Sequence, residues 1–125
     1  MAKGQKTTTA GLTRESALIA GLSSTPVVYF AVGTGDTTPT DDDETLVAEV
    51  FRGHASIIQD GTNLLYSLTI TKGTFAGDTY IKELGLFDAE SGGMCYYREV
   101  RDPEILNGTT GCTFTIPVNR AGGSA

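Results

Sequence analysis

The sequence contains no tryptophan, one histidine and only two cysteines, Cys95 and Cys112. Two thiols are too few for a disulfide-rich scaffold or for a cysteine-rich zinc site. We therefore expect both to be free structural thiols. A disulfide between Cys95 and Cys112 remains an alternative if they lie on neighbouring strands, and a link across subunits is another once the protein leaves a reducing cytoplasm.

Long apolar runs and positive charge are also scarce. No run approaches the roughly 20 apolar residues that a membrane-spanning helix needs. Nine Lys and Arg against fifteen Asp and Glu give a net charge of −6. Because binding to a nucleic-acid backbone or to an anionic membrane depends on Lys and Arg, neither is an expected partner. The first residues lead into threonines and not into an apolar signal core, so we expect synthesis in a cytoplasm.

The sequence is rich in glycine, threonine and short strand-like segments. Its 125 residues are enough for one domain. Between a flexible arm at 1–9 and a flexible tail at 119–125, the pattern predicts a helix at 12–22 followed by short strands. The predicted strands cover residues 27–32, 53–59, 64–71, 80–87, 94–100 and 112–118, with Asp102-Pro103 ending the fifth. The prediction is a mainly β domain at 10–118, an antiparallel β-sandwich or small barrel with one N-terminal α-helix packed on it.

Three patterns that could carry catalysis or bind a metal are incomplete. Gly33-Thr34-Gly35 lacks the third glycine and the lysine of phosphate-binding loops, and is interpreted as a turn closing a strand. The acidic run at 41–44 lacks the spacing and glycine of a calcium loop, and is interpreted as a solvated loop. His54 has only its strand neighbours Ser56 and Asp60 beside it, and no nucleophile elbow occurs. We expect no catalytic residue, cofactor or metal.

Glu83 and Gly85 stand out within the strand predicted at 80–87. A carboxylate in an otherwise apolar strand either faces solvent or needs a partner. The candidate partners are backbone N–H groups or the guanidinium groups of Arg52, Arg98 and Arg101. Glycine weakens a strand unless a bulge or a close backbone approach requires it, so Gly85 indicates such an approach.

The residues after this strand are further structural candidates. Asp88 is expected to cap a turn through its side chain. Tyr96 and Tyr97 supply aromatic surface without neighbouring positive charge, which suits a protein interface or a sheet face better than stacking on nucleic-acid bases.

Several segments, in this order, resemble the phage tail-collar fibre N-terminal domain family. Thr9-Ala10-Gly11-Leu12, Thr25-Pro26 and Ala31-Val32-Gly33-Thr34-Gly35 resemble its opening. The stretch Thr45-Leu46-Val47-Ala48-Glu49-Val50-Phe51-Arg52 is also similar. Tyr80-Ile81-Lys82-Glu83-Leu84-Gly85-Leu86-Phe87-Asp88-Ala89 resembles the family signature Ile-Arg-Glu-x-Gly-Leu-Phe/Tyr-Asp, with Lys82 in place of the usual arginine. The matches span about residues 7–100.

The resemblance implies a structural role in the virion of a tailed bacteriophage. In that family the domain lies at the base of a tail or side fibre, anchors it to the particle and is commonly trimeric. Family members continue into a shaft and a host-binding tip, and this sequence shows neither. We therefore expect a collar, neck, baseplate or fibre-base component that docks onto other virion proteins as a homo-oligomer, without enzymatic activity.

Two alternatives stay open from the sequence. One is a capsid decoration protein on the head surface, which sequence barely separates from a collar protein. The other is a carbohydrate-binding β-sandwich, in which tyrosines would stack on sugars. The missing tryptophan makes this second alternative less attractive.

Overall fold

The computed structural model describes residues 2–20, 26–40, 42–61 and 63–119. These residues form one helix, α1 (Thr9–Ile19), and eight strands. The strands are β1 (Ala2–Thr7), β2 (Tyr29–Gly33), β3 (Glu49–His54), β4 (Ser56–Asp60), β5 (Asn63–Ile70), β6 (Thr79–Phe87), β7 (Cys95–Leu106) and β8 (Cys112–Asn119). One sheet has the order β1-β7-β6-β2-β3 and the other β4-β5-β8, and every pairing is antiparallel. The predicted fold class, a mainly β sandwich with an N-terminal helix, is confirmed.

The main core lies between the two sheets, and strand β5 shows how the sequence builds it. Tyr66, Leu68 and Ile70 are buried while Leu65 and Thr69 are exposed, as strict alternation along a strand predicts. The hairpin from β4 to β5 pairs Asp60 with Asn63. Gly61 between them has a φ of 63°, which glycine adopts without steric cost. The Asp-Gly signal therefore predicted this hairpin correctly.

The expectation of a flexible arm at residues 1–9 is wrong for the residues that the structure describes. Strand β1 pairs with β7 along the edge of the larger sheet, with Thr7 opposite Tyr97. Thr8 is fully buried, and its N–H donates to the Tyr96 carbonyl at 2.9 Å. A polar segment can still pair as an edge strand, because the partner strand satisfies its backbone groups. Asn119 ends β8, and the remainder of the expected tail lies outside the described residues.

The helix begins three residues earlier than predicted. Its N-cap is Thr8, whose side-chain oxygen accepts from the Gly11 N–H at 2.9 Å and donates to the Cys95 carbonyl. This anchoring on β7 sets the first turn, and the helix ends at Ile19. Leu22, which was expected inside the helix, lies outside the described residues.

Strand β7 does not end at Asp102-Pro103, contrary to the prediction. It continues to Leu106, and its pairing with β6 shifts register so that Ile81 lies opposite Glu104 but Glu83 lies opposite Val100. The extra residues form a bulge. A bulge is one of the few places in a sheet that tolerates proline, because no ladder hydrogen bond is required of its nitrogen.

In the described parts of the chain, no helix is long and apolar enough to cross a lipid bilayer.

Candidate functional site

A fully buried ion pair lies on the face of the larger sheet opposite the main core. Glu83 on β6 and Arg98 on β7 are both 0% exposed, and the Arg98 Nε donates to Glu83 Oε1 at 3.0 Å. The register of the two strands places Gly85 opposite Arg98, so the guanidinium extends along the sheet toward Glu83. Of the alternatives left open by the sequence, a solvent-facing Glu83 or a partnered one, the structure shows the partnered one, and Arg98 is one of its partners.

The Glu83 carboxylate also accepts three backbone hydrogen bonds from the 34–48 loop. Oε2 accepts from the N–H groups of Gly35 at 2.9 Å and Ala48 at 2.7 Å, and Oε1 accepts from Val47 at 2.9 Å. The donors come from both ends of the loop that joins β2 to β3. Charge-assisted hydrogen bonds of this kind offset the cost of burying an ionised carboxylate. One side chain therefore closes the loop against the sheet.

Arg98 holds the middle of the same loop. Its Nη1 donates to the Thr37 carbonyl at 2.9 Å and lies 3.3 Å from Asp43 Oδ2. Asp43 in turn accepts from the Thr40 N–H at 2.9 Å. The acidic run interpreted as a solvated loop thus contributes one partly buried residue to this network. Among the described residues, no buried side-chain nitrogen or oxygen lacks a hydrogen-bond partner.

Three glycines of the segments that carry the family resemblance are required by space. A Cβ on Gly33 would lie 2.5 Å from Glu83 Oε2, and a Cβ on Gly35 would lie 2.7 Å from the same atom. A Cβ on Gly85 would lie 2.7 Å from a methyl carbon of Leu46, which packs down onto the strand. These approaches are closer than real Cβ atoms adopt. Gly33 also ends strand β2, as predicted.

Arg52 closes a second contact beside this network. Its guanidinium carbon lies 3.7 Å from the centroid of the Phe87 ring, a cation–π geometry. It pairs with Glu49 and donates from Nη1 to the carbonyls of Ala89 at 2.9 Å and Gly92 at 2.7 Å. Arg52 therefore ties edge strand β3 to the turn after β6, and its side chain is almost fully covered.

Asp88 joins the helix to the turn between β6 and β7. Its Oδ1 accepts from the Met94 N–H at 2.7 Å, which is the turn-capping role predicted from the sequence. Its Oδ2 pairs with Arg14 of α1 at 2.5 Å. The second contact could not be read from local sequence, because the two residues are 74 positions apart.

Lys82 is next to Glu83 on β6 but stays outside the buried cluster of Glu83 and Arg98. Its ammonium lies 3.8 Å from a carboxylate oxygen of Asp36, and both side chains are partly exposed. An ion pair of this kind contributes little to stability. Lys82 occupies the β6 position opposite the bulge in β7.

Tyr96 and Tyr97 lie on the sheet and are both buried within the chain. The Tyr96 hydroxyl donates to Glu15 of the helix at 2.8 Å, and the Tyr97 hydroxyl donates to the buried Glu99 at 2.7 Å. Burial, together with the Glu99 carboxylate, raises the pKa of Tyr97. The sequence left open whether these two tyrosines lie at a protein interface or on a sheet face, and in the structure they lie on a sheet face.

Cys95 and Cys112 are both free, so the intrachain disulfide left open by the sequence is not formed. Cys95 lies in the larger sheet and is buried, and its Sγ–H points to the Tyr97 carbonyl at 3.5 Å. Burial raises the pKa of the Cys95 thiol to about 12. Cys112 begins β8 of the smaller sheet and is only partly covered.

Sequence reasoning missed the second buried carboxylate, Glu99, and the positions of Thr8 and Arg101. Glu99 accepts from Tyr97 and pairs with Arg101, whose Nη2 reaches the Thr115 carbonyl on β8. Thr8 is the helix cap described above. The alternation along β7 could have flagged Glu99, since it lies on the same side of the strand as the apolar-facing Tyr97.

The buried cluster is built for rigidity and offers little access to a substrate. The oxygens of Glu83 are taken up by donors from the loop and from Arg98, and the side chain is fully covered. Within the described residues, no group of three or more His, Cys, Asp or Glu side chains is placed to hold a metal ion. His54 is exposed on β3 and stacks edge-on against Tyr29 with ring centroids 5.4 Å apart.

The outer surface of α1 exposes apolar side chains. Leu12 is 50% exposed, Leu18 37% and Ile19 82%. Leu18 and Ile19 also line a groove of about 460 Å³ beside the smaller sheet. Ile57 and Leu64 of that sheet line the same groove. The helix therefore packs its Gly11 side on β7 and presents leucine and isoleucine to solvent. Clustered exposed apolar residues are typical of interaction surfaces.

Comparison of the chain with protein-family models, with curated protein sequences and with solved structures finds no match.

Proposed function

We propose that this chain is a structural protein of a tailed bacteriophage particle, a collar, neck or tail-fibre-base component that docks onto other virion proteins. The proposal includes assembly with copies of itself, as a trimer on the particle, and no enzymatic role. Its setting is the virion after synthesis in the cytoplasm of a bacterial host.

The observation that carries the proposal is the convergence of the residues on which the resemblance rests. Gly33, Gly35, Glu83 and Gly85 come from separate segments and meet in one buried cluster under the 34–48 loop. Their shared task is to hold a loop rigidly on a sheet. That task suits a component whose surface must keep one shape while neighbours assemble on it.

The exposed face of α1 supplies a surface on which a neighbour could dock. Leu12 and Ile19 lie on the helix that the Arg14–Asp88 pair and the Thr8 cap fix to the sheet. A rigid helix that presents apolar side chains loses little conformational entropy when a partner covers it. We therefore assign docking to this helix rather than to a flexible arm.

An immunogold experiment tests the proposal. Antibody raised against the purified chain is applied to tailed particles purified from lysates of cells that carry the gene, with antibody pre-absorbed on the chain as control. We expect gold at the collar, neck or fibre base. Label over the head would favour the decoration-protein alternative. A chain that stays in the soluble fraction and is absent from purified particles would contradict a virion role altogether.

The burial of the tyrosines counts against the carbohydrate-binding alternative. Tyr66, Tyr96 and Tyr97 are buried, and their rings are not available for stacking on a sugar. Tyr80 is exposed as a single ring on β6. A platform built from the described residues would therefore rest on few aromatic faces.

A further inference from the structure

We propose that Asn107 is a site of spontaneous self-modification, in which ring closure with Gly108 converts its side-chain amide into a carboxylate. The sequence contains three asparagines, followed by leucine, glycine and arginine at Asn63, Asn107 and Asn119. Only Asn107 precedes a residue without a side chain. It begins the turn that joins β7 to β8, so the inference depends on this loop and not on the proposed function.

The Asn107 side chain is held by hydrogen bonds at both of its polar atoms. Its Oδ1 accepts from the Thr109 N–H at 2.9 Å and from the Thr109 hydroxyl at 3.1 Å. Its Nδ2 donates to Asp78 Oδ1 at 2.9 Å. The backbone is fixed as well, because the Asn107 carbonyl accepts from the Gly73 N–H at 3.0 Å. The side chain and the backbone of Asn107 are thereby both held in the turn.

The attacking atom is accessible. Gly108 is exposed, and within the described part of the chain its N–H donates to no acceptor. With no Cβ on Gly108, nothing shields the peptide nitrogen from the Asn107 side chain. An added Cβ would come no closer than 3.8 Å to another group, the Ala76 carbonyl oxygen. Glycine is thus not required there by packing, and replacing it leaves the fold unstrained.

The reaction needs only the chain and water. The Gly108 nitrogen loses its proton to hydroxide and attacks Cγ of Asn107, and negative charge develops on Oδ1. The two donors of Thr109 are already directed at that oxygen, as in an oxyanion hole. This attack closes a five-membered ring. Nδ2 then takes a proton from water, the C–N bond breaks and ammonia leaves, which gives the succinimide and returns the hydroxide. Water opens the ring to give aspartate or isoaspartate.

The product changes a contact between two loops. Asn107 Nδ2 now donates to Asp78, whereas the new carboxylate would place a second negative charge beside that residue. Like charges at this separation repel. In the isoaspartate product the backbone also gains a carbon, which displaces the Asn107 carbonyl from Gly73. Conversion therefore adds one negative charge and releases residues 73–78 from the β7–β8 turn.

Peptide mapping by mass spectrometry tests the site. The purified chain is incubated at pH 8 and 37 °C, conditions under which hydroxide-driven ring closure proceeds, and sampled over several weeks. We expect Asn107 to convert while Asn63, held in a strand before leucine, does not. The matched control is Gly108→Ala, which keeps the loop and should strongly slow conversion. No conversion at Asn107, or equal rates in the wild type and Gly108→Ala, would overturn the proposal.

A second variant tests whether the hydrogen bonds to Asn107 Oδ1 speed ring closure, or whether exposure of the Asn-Gly pair is sufficient. Thr109→Ala removes the hydroxyl donor to Oδ1 and keeps the N–H donor. Loss of one neutral hydrogen bond to the developing charge should slow conversion by roughly two- to tenfold. An unchanged or faster rate would show that the Thr109 hydroxyl does not assist the reaction.

Amide exchange measures the consequence. The converted protein is separated from the unconverted protein by anion-exchange chromatography. The Gly73 N–H should exchange its hydrogen with solvent faster in the converted protein. The variant Asn107→Asp carries the added charge without the isoaspartate linkage, so it shows how much of this change the charge alone produces. Identical exchange at Gly73 in both fractions would contradict the release of residues 73–78.

Discussion

Replacing Glu83 by glutamine tests whether the buried carboxylate holds the fold together. The substitution keeps the size of the side chain but removes its charge. Arg98 would stay fully buried with only the partly exposed Asp43 carboxylate, 3.3 Å from its Nη1, as a counter-charge. The glutamine NH₂ group would also face backbone N–H groups of Gly35, Val47 or Ala48, which need an acceptor.

The expected loss follows from these contacts. Removing one partner of a buried ion pair costs about 3–5 kcal/mol. A domain of ordinary stability has about 5–15 kcal/mol in total, so the variant would lose a large part of its free energy of unfolding. For a domain of this size, about 4 °C of Tm per kcal/mol gives a fall of roughly 12–20 °C.

Urea and thermal unfolding followed by circular dichroism measure this loss. Lys82→Gln is the matched control, since it removes a partly exposed charge from the adjacent position of the same strand. It should change the free energy of unfolding by no more than about 0.5 kcal/mol. A Glu83→Gln loss below about 1 kcal/mol, the value of a surface pair, would refute the structural role given to this carboxylate.

The double variant Glu83→Leu/Arg98→Met sharpens the test. Replacing both members of a buried pair by apolar residues often restores stability. Here the restoration should be incomplete, because the N–H groups of Gly35, Val47 and Ala48 would keep no acceptor. Full recovery would mean that the loop does not depend on this carboxylate.

Three further outcomes are expected. Gly85→Ala should cost about 1–3 kcal/mol in urea unfolding, because a methyl group there meets a side-chain carbon at 2.7 Å, whereas Gly77→Ala has open space and should be nearly neutral. In thiol titration at pH 8, the partly covered Cys112 should react first. Native Cys95 should stay unreacted until the chain is unfolded, because burial and a pKa of about 12 leave almost no accessible thiolate. Ile19→Lys should change the free energy of unfolding by no more than about 0.5 kcal/mol, because the side chain is 82% exposed. It should nevertheless reduce incorporation of the protein into particles. Incorporation equal to that of the wild type would show that the helix is not part of the docking surface.

The parts of the fold that the sequence predicted are those with local causes. Asp60-Gly61 specifies a hairpin through backbone angles that glycine adopts easily, and the alternation from Leu64 to Ile70 specifies which face of β5 is buried. The errors arose where distant contacts decide. Residues 2–7 are polar and were predicted to be mobile, but β7 provides them with a strand to pair with. Pro103 was predicted to end a strand, but a bulge accommodates it.

For the candidate site, too, the features with local causes could be predicted from the sequence, and those that depend on distant contacts could not. From the sequence, a lone carboxylate in an apolar strand either faces solvent or needs a partner, and Arg98 is among the candidates that were named for Glu83. The backbone donors from the loop could not be identified, because Gly35 and Ala48 lie 48 and 35 residues away in the sequence. The apolar residues of the helix, Leu18 and Ile19, carry no sequence signal that distinguishes a buried face from an exposed one.

The pairing of the first strand with the seventh has a consequence for synthesis on the ribosome. Residues 2–7 leave the ribosome well before their pairing partners, residues 97–101. The anchoring of the helix cap also forms late, because Thr8 binds the carbonyl groups of Cys95 and Tyr96. Contacts between such distant residues slow folding, since the intervening chain must be ordered before they form. Residues 2–7 of the nascent chain therefore stay without this partner strand until β7 has been translated.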